Sequence, residues 1–533
     1  MTAPRRRHAG LRVRTGAILL ATGAALTVAA CGSSGGSAGG GASDRTLDVV
    51  FASGISSIDP AIACSQHDYA IVKNSYDTLV RYGTPSAEDP LGELQPGLAE
   101  SWEVSPDRRT YTFHLRRGVR FSSGNPLTAT DVVKSFERIR DRQGCQDYVL
   151  TLGNPKSIQR IEAVDESTVR FRIARPDPLF LGVLAQTGNS PVDWRELERH
   201  GGDSRAGDDW LARNSAGTGA YAVTSYDPDN QITLAANRSW WGGAPRNDEV
   251  AVKIVGDTTT LETLVRSGES DMAWGVPFRD LSSMEQQGFQ LLENPSQFYI
   301  YLGLNTAKAP LDDTRVRQAL AAALPREEIA ERFGYGHVEL FDGPLPPAMP
   351  HSPRLSPPAP DVARAKALLA EAGVGDFGVE LAVKSGESVQ AEIATVLQAA
   401  WAPLGVDVRI EKLGPSAFTD RVSNFKAQAY LISDGAPLSD PAYFLGFLVK
   451  CGNAFNWTKY CNREVDGLLA KGRFDFDPGN RDRVYAQLSD LVVDDAAVVP
   501  IFAPNNVVVA RRAVTGYQPT GDQQPLFSTI SAG

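Results

Sequence analysis

The sequence predicts an α/β protein with mixed sheets, built from more than one domain. Stretches with the two-residue periodicity of a β-strand alternate along the chain with amphipathic stretches of helical periodicity, and short links join them. The chain of 533 residues is 42% hydrophobic, so it can bury the cores of two or three domains.

A predicted strand and a predicted helix follow each other directly in the first third of the chain. In RTYTFHLRRGVRF, the alternation places Tyr111, Phe113 and Leu115 on one face of a strand. The next stretch, LTATDVVKSFERI, is typical of a helix because its apolar residues recur at a spacing of three to four. Thr128 and Asp131 stand three residues apart at its start, which is the pattern of a capping box.

Later stretches extend this pattern of strands and helices. VAVKIVGDTTTLETLVRSGESDMAWG predicts strand, helix and strand, and DVARAKALLAEAGV predicts a helix that ends at Gly373. QAEIATVLQAAWAPLGVDVRI predicts a helix, a break and a strand, with Trp401 in the core. RDRVYAQLSDLVVDDAAVVPIF predicts a long helix that leads into a strand. The proline-rich residues 342–360 predict a long irregular loop.

The first 30 residues are predicted to be a signal peptide. Residues 1–15 carry five arginines and no acid, and residues 16–30 are apolar or small. This order is typical of export, and the apolar run is too short to span a bilayer comfortably. Residues 28–31, Val-Ala-Ala-Cys, resemble the bacterial lipobox, which implies that Cys31 is lipidated and becomes the new N-terminus.

Residues 31–44 are predicted to be a flexible tether because they are rich in glycine and serine. A lipidated Cys31 would hold the protein on the outer face of the cell membrane of a bacterium. The alternative is an ordinary signal peptide that a cysteine happens to follow. No second long apolar run exists after Cys31, so we expect the folded body to lie outside the membrane.

The charge of the mature chain argues against nucleic-acid binding. The signal peptide carries five of the 53 basic residues and none of the 63 acidic ones, which leaves a net charge of −15. Such a surface repels phosphate backbones, and no basic stripe is interleaved with aromatic residues. We therefore expect no nucleic-acid partner.

Four cysteines remain after Cys31, and an even number in an exported protein suggests disulfides. Three pairings are possible. Cys451 and Cys461 are ten residues apart in a segment with glycine and asparagine, which favours that pair and leaves Cys64 with Cys145. No CxxC spacing occurs and the six histidines do not cluster, so we expect no metal site.

Motifs with catalytic geometry are missing from the sequence. It contains no G-x-S-x-G and no H-E-x-x-H. SNFK, at residues 423–426, matches S-x-x-K, but the K-T-G partner of penicillin-binding enzymes is absent. GTGAY, at residues 217–221, lacks the residues that would hold a nucleotide phosphate and predicts a tight turn before a strand. We therefore predict a binding protein without catalytic residues or cofactor, with a secreted hydrolase as the alternative.

Two long stretches of the sequence are specific enough to compare with known families. They are LAESWEVSPDRRTYTFHLRRGVRFSSGNPLTATDVVKSFERI, at residues 98–139, and YLGLNTAKAPLDDTRVRQALAAALPREEI, at residues 301–329. Together with GTGAY, LGVDVRI and VYAQLSDLVVDDAAVVPIF, they resemble blocks of the family 5 extracellular solute-binding proteins, in family order. These proteins are the dipeptide-, oligopeptide- and nickel-binding receptors of ABC importers.

The resemblance implies a two-lobed periplasmic-binding-protein-like fold with the ligand in a cleft between the lobes. The first lobe would span residues 45–290 and return over residues 500–533, and residues 291–499 would form the second lobe. The chain would thus cross the hinge twice. We expect a monomer that delivers its ligand to the permease subunits of an ABC importer. Peptides are the expected cargo, and a metal chelate, haem or an oligosaccharide is the alternative.

The resemblance also implies candidate ligand-binding residues. In peptide-binding members an aspartate of the second lobe takes the α-ammonium of the peptide, and Asp434 in YLISDGAPLSDPAYFLGFLVKC matches that position. The tryptophan expected nearby is replaced by Leu431 and Ile432. The alternative role for Asp434 is to cap a turn. Trp274 and Asn189 are further candidates for the cleft, with core positions as their alternative.

Overall fold

The computed structural model describes residues 45–85, 91–435, 438–520 and 522–533. The predicted signal peptide, the tether and the lipidation site Cys31 lie outside the described residues. Among the described helices, none combines the length and the apolar character that a membrane span requires.

Strands and helices alternate along the described chain. The strands are β1 (Thr46–Phe51), β2 (Val80–Tyr82), β3 (Leu94–Pro96), β4 (Ala99–Val104), β5 (Thr110–Leu115), β6 (Ile158–Asp165), β7 (Thr168–Ile173), β8 (Tyr221–Asp227), β9 (Gln231–Ala236), β10 (Glu249–Ile254), β11 (Met272–Trp274), β12 (Gln290–Asn294), β13 (Tyr299–Leu304), β14 (Val338–Glu339), β15 (Phe377–Lys384), β16 (Val406–Leu413), β17 (Ala429–Asp434), β18 (Val498–Pro504) and β19 (Asn506–Ala510). The helices are α1 (Gln66–Ser75), α2 (Ala129–Arg142), α3 (Cys145–Thr151), α4 (Phe180–Leu184), α5 (Trp194–Arg199), α6 (Arg205–Leu211), α7 (Thr258–Ser267), α8 (Phe278–Gln286), α9 (Thr314–Ala322), α10 (Arg326–Gly334), α11 (Val362–Ala372), α12 (Ser388–Trp401), α13 (Pro415–Ser423), α14 (Pro441–Leu448), α15 (Arg463–Phe474) and α16 (Pro478–Asp495).

Two large mixed sheets organise these elements. The first has the order β12-β19-β11-β1-β10-β9-β8, in which β1 is parallel to both β10 and β11. The second has the order β14-β18-β13-β17-β15-β16, in which β15 is parallel to β16 and β17, whereas β13 runs antiparallel to β17 and β18. An antiparallel sheet, β4-β5-β7-β6, and the pair β2-β3 complete the described strands. The predicted α/β class with mixed sheets is confirmed.

The chain passes between the two large sheets twice. β12 and β19 belong to the first sheet, whereas β13 and β18 belong to the second. The passages therefore fall at residues 295–298 and at Asn505, a few residues beyond the expected boundaries at 290 and 499. We call residues 45–294 and 506–533 the first lobe, and residues 299–504 the second lobe. The movement of these two parts as lobes stays a prediction.

The local predictions for the strand and helix near residue 128 are confirmed. In β5, Tyr111, Phe113 and Leu115 are buried and alternate with partly exposed neighbours. Thr128 caps α2 in a capping box. Its hydroxyl oxygen accepts from the backbone N–H of Asp131, and the carboxylate of Asp131 accepts from the backbone N–H of Thr128. The predicted apolar stripe of α2 is buried.

The later predictions are confirmed as well. Gly373 ends α11 in the left-handed conformation, with φ of 69°. Residues 342–360 contain neither a helix nor a strand. Trp401 is fully buried, and its indole N–H donates to the carbonyl of Leu320 at 3.0 Å. Trp401 is therefore a core residue, as the sequence predicts.

Candidate functional site

Asp434 is the last residue of β17, where that strand leaves the second sheet. In the antiparallel register with β13 it lies opposite Tyr299. Its Oδ1 accepts a hydrogen bond from the backbone N–H of Gly435 at 2.8 Å. A Cβ atom at Gly435 would lie 2.7 Å from the ring of Phe298, so a glycine is needed for the chain to turn this close to the passage between the sheets.

Buried tyrosines surround Asp434. Tyr299 and Tyr301 share one face of β13, and Tyr430 lies on the same strand as Asp434. The phenols of Tyr301 and Tyr430 are hydrogen-bonded to each other. A Cβ atom at Gly303 would collide with the ring of Tyr430, so glycine at that position of β13 makes room for this ring.

The negative charge of Asp434 affects the pKa values of four nearby tyrosines. Burial raises the pKa of Tyr299, Tyr301, Tyr430 and Tyr443, and the negative charge of Asp434 raises the pKa of each further. These phenols therefore stay neutral at physiological pH and supply no positive charge to the carboxylate.

The carboxylate itself lacks a protein counter-ion. Burial raises the pKa of Asp434 to about 6, and the hydrogen bond from Gly435 opposes this rise. Among the described residues, no Lys, Arg or His forms an ion pair with Asp434. The undescribed residues after position 44 include no basic side chain. Such a half-buried carboxylate is suited to bind a cation.

The hydrogen bond to Gly435 fits the alternative in which Asp434 caps a turn. It uses only Oδ1, and no described donor bonds Oδ2. A raised pKa would not strengthen the hydrogen bond of a carboxylate that only caps a turn. Turn capping and cation binding are therefore compatible, one at each oxygen.

The first lobe approaches this site at Tyr443, which lies on α14. Burial raises the pKa of Tyr443, and the phenols of Tyr69 and Tyr148 in the first lobe, together with Asp434, raise it further. Tyr69 is fixed by Gln146, whose Nε2 donates to the phenol oxygen at 2.5 Å. Tyr443 therefore links the two lobes, since its ring contacts that of Tyr148 edge-on with the centroids 5.9 Å apart.

Trp274 lies in the first sheet, at the end of β11. It is partly buried, and its ring contacts Phe51 edge-on with the ring centroids 5.3 Å apart. Phe51 contacts His67 in the same way at 5.3 Å. No described contact joins Trp274 to Asp434, so a role for Trp274 in the cleft stays a prediction.

Asn189 is fully buried in the first lobe. Its Nδ2 donates to the carbonyl of Val183 at 2.6 Å, which holds the turn after α4. Its Oδ1 is buried without a described partner. A ligand could reach Asn189 only if this turn moved, and its role in binding stays a prediction.

The structure contains the two disulfides expected from the sequence, Cys64–Cys145 and Cys451–Cys461. The first lies in the first lobe, with Cys145 Sγ 3.9 Å from the phenol oxygen of Tyr69. Among the described residues, no group of histidine, cysteine and acidic side chains is arranged to hold a metal ion.

The tyrosines around Asp434 were missed by the sequence analysis. The alternation in YIYLGL places Tyr299 and Tyr301 on one face, and that signal was available. Their proximity to Asp434 depends on the register between β13 and β17, which are separated by more than a hundred residues and which no local pattern specifies.

Comparison with known proteins identifies the class. The fold is similar to that of the ABC transporter-associated periplasmic binding protein DppA from Helicobacter pylori, solved in complex with the peptide STSA. The TM-score is 0.81 and the identity 26%, over 92% of this chain and 98% of that protein. This neighbour is a two-lobed periplasmic binding protein, so the predicted fold class is confirmed.

The family follows from the sequence comparisons. The chain matches the model for bacterial extracellular solute-binding proteins, family 5 Middle, over residues 93–456. It is 31% identical to the dipeptide-binding protein of Escherichia coli (strain K12) over 452 residues, which cover 80% of this chain and 84% of that protein. It is 29% identical to heme-binding protein A of Haemophilus influenzae over 475 residues, 84% of this chain and 85% of that protein.

The chain therefore belongs to the family 5 bacterial extracellular solute-binding proteins. Members of this family are extracytoplasmic binding proteins of transporters and not enzymes. The prediction that the chain is not an enzyme is confirmed, and the secreted hydrolase is excluded.

The raised pKa of Asp434 predicts that the stability of the folded protein depends on pH. The pKa of about 6 in the folded protein exceeds the ordinary value of 3.8, so the folded state binds this proton more tightly than the unfolded chain. The charge of Asp434 therefore destabilises the ligand-free protein progressively as the pH rises from 4 to 6. Asp434→Asn should raise the free energy of unfolding at pH 7.5 by about 2 kcal/mol relative to its effect at pH 4.

Denaturant unfolding of both proteins between pH 4 and pH 8 measures this difference. The matched control is Asp407→Asn, because Asp407 is an exposed acid in the same sheet. An Asp434→Asn effect that does not change with pH would show that the carboxylate is not desolvated.

Proposed function

We propose that this protein is the substrate-binding component of an ABC importer and captures peptides by their N-terminal ammonium. One observation carries the proposal: Asp434 is a half-buried carboxylate without a described protein counter-ion, and burial raises its pKa to about 6. An α-ammonium would supply the missing positive charge through a charge-assisted hydrogen bond to Oδ2. The named functions of the DppA and dipeptide-binding relatives support peptides as the cargo.

The surroundings of Asp434 also favour a peptide over the alternatives. Haem and many metal chelates carry carboxylates, which would face the charge of Asp434 and the neutral phenols around it without a compensating cation. Heme-binding protein A is a relative of comparable identity, so family membership alone does not choose between these cargos. The negative charge at Asp434 supports a cargo with a cationic group.

In the proposed cycle, the two lobes close around the peptide and the closed form is delivered to the permease. Cys31 carries the lipid and residues 31–44 act as the tether, so that the monomeric body stays at the outer face of the membrane. Two or more acyl chains are needed for stable anchoring, which the diacylglyceryl group of a bacterial lipoprotein provides.

The ammonium contact can be tested with a double-mutant cycle. Removing one partner of a buried ion pair costs about 3–5 kcal/mol, so Asp434→Asn should weaken binding of a peptide about 100- to 4000-fold. N-acetylation of the peptide should weaken wild-type binding by a similar factor and binding by the variant much less. Titration calorimetry of the two proteins against the two peptides gives the coupling free energy.

Asp407→Asn serves again as the control and should leave both affinities unchanged. If acetylation lowers the affinity of the wild type and of Asp434→Asn equally, Asp434 does not bind the ammonium.

The lipid anchor makes a separate prediction. Cys31→Ser should prevent lipidation because a serine hydroxyl does not replace the thiol as the acceptor of the diacylglyceryl group. The variant should lack the mass of the lipid and should leave the membrane fraction of the cells. Intact mass spectrometry and fractionation measure both properties. An unchanged mass and an unchanged membrane association would exclude the lipoprotein.

A further inference from the structure

An ion pair joins the two lobes at a distance from the passages between the sheets. Arg473, near the end of α15 in the second lobe, donates from Nη2 to Oδ2 of Asp177 in the first lobe at 3.1 Å. Its Nη1 donates to the carbonyl of Leu152, also in the first lobe, at 3.4 Å. The side chains of Arg473 and Asp177 are 20% and 11% exposed, so both ions are largely desolvated.

The surroundings of Asp177 and Arg473 orient both side chains for this ion pair. Asp177 Oδ1 accepts from the backbone N–H of Leu179 at 3.0 Å, which fixes the carboxylate at the start of α4 and leaves Oδ2 for Arg473. The Nε of Arg473 is buried without a described partner. The described acceptors of this guanidinium all belong to the first lobe.

An aromatic contact lies beside the ion pair. The ring of Tyr148 in the first lobe stacks on Phe447 with the centroids 4.4 Å apart. It meets Tyr443 and Phe455 edge-on at 5.9 Å and 5.8 Å, and its phenol oxygen accepts from Asn453 Nδ2 at 3.1 Å. These four partners belong to the second lobe, so Tyr148 contributes contact area that exists only when the lobes touch.

Two cavities border the ion pair and the aromatic contact. A cavity of about 110 Å³ is lined by Tyr148 and Leu152 from one lobe and by Tyr443 and Arg473 from the other. A second cavity, of about 160 Å³, lies next to Arg473 and Asp177. The ion pair and the Tyr148 contact are therefore directional links in a seam that also includes cation–π contacts of Arg175 with Phe474 and of Arg108 with Phe476.

We propose that Asp177 and Arg473, supported by Tyr148, form a latch that stabilises the closed arrangement of the lobes. This inference rests on the proposed function, in which the lobes close around a cargo. Arg473 and Asp177 lie outside the surroundings of Asp434 and act as positioning residues. The latch raises the fraction of protein that is closed, so it multiplies the affinity for every cargo by the same factor.

The latch is tested without any cargo, by measuring the distance between spin labels on the two lobes. Residues 45–533 are used, because they hold all the described strands and helices and belong to one compact unit. The labels replace Val164 in the first lobe and Val389 in the second, which are 46% and 38% exposed. The measured quantity is the ratio of closed to open protein.

The variants are Arg473→Gln and Asp177→Asn, of which the second retains the acceptor for Leu179. Each should lower the ratio of closed to open protein about tenfold, as expected for a partly desolvated ion pair. The double variant should lower it no further, because the two residues act as a pair.

The control is Arg421→Gln, which removes ion pairs to Glu380 and Glu411 that lie within the second lobe. It should leave the ratio unchanged. Equal ratios of closed to open protein in the wild type and in Arg473→Gln would overturn the latch. The absence of a closed population in both proteins would overturn it as well.

Binding of the tripeptide Ala-Ala-Ala provides the second readout. Arg473→Gln should increase its dissociation rate by the same factor as the loss of closed protein, and Arg421→Gln should not. A wild type that fails to bind this peptide while its label distances respond to Arg473→Gln would argue against the peptide cargo and leave the latch supported. A dissociation rate that does not change in Arg473→Gln contradicts the latch.

Discussion

The charge of Asp434 lowers the free energy of unfolding because the carboxylate is partly buried without a cation. The proposed function depends on this cost. β17 ends at Asp434, and the tight turn at Gly435 against Phe298 places the carboxylate beside the passage between the lobes. Buried phenols replace water around it without supplying a positive charge. A cargo that brings its own cation therefore relieves the cost, which couples binding to the chemical identity of the cargo.

Asp434 and the Arg473–Asp177 ion pair have different proposed roles in capture. In the proposed function Asp434 responds to the charge of the cargo, whereas Arg473 and Asp177 interact in the structure without a cargo. The first interaction would set selectivity, and the second would set how often the lobes are found together. A binding protein needs this balance, since a latch that is too strong would hinder release to a permease.

The sequence predicted the elements better than the contacts between them. The capping box at Thr128 and the left-handed Gly373 depend on neighbouring residues, so local patterns were sufficient. Asp434 was found through the resemblance to the family and not through spacing. Its tyrosines were missed because they depend on the register of β13 and β17. Arg473 and Asp177 are 296 residues apart, and no local pattern connects them.

The most direct test of the central claim is the number of protons released when a peptide binds. Titration calorimetry at pH 5, in buffers of different ionisation enthalpy, measures this number. With a free pKa of about 6, Asp434 is mostly protonated at pH 5, and pairing with an ammonium should ionise it. We expect release of nearly one proton at pH 5, little release at pH 7, and none from Asp434→Asn at either pH. Equal proton release by the wild type and Asp434→Asn at pH 5 would contradict the central claim.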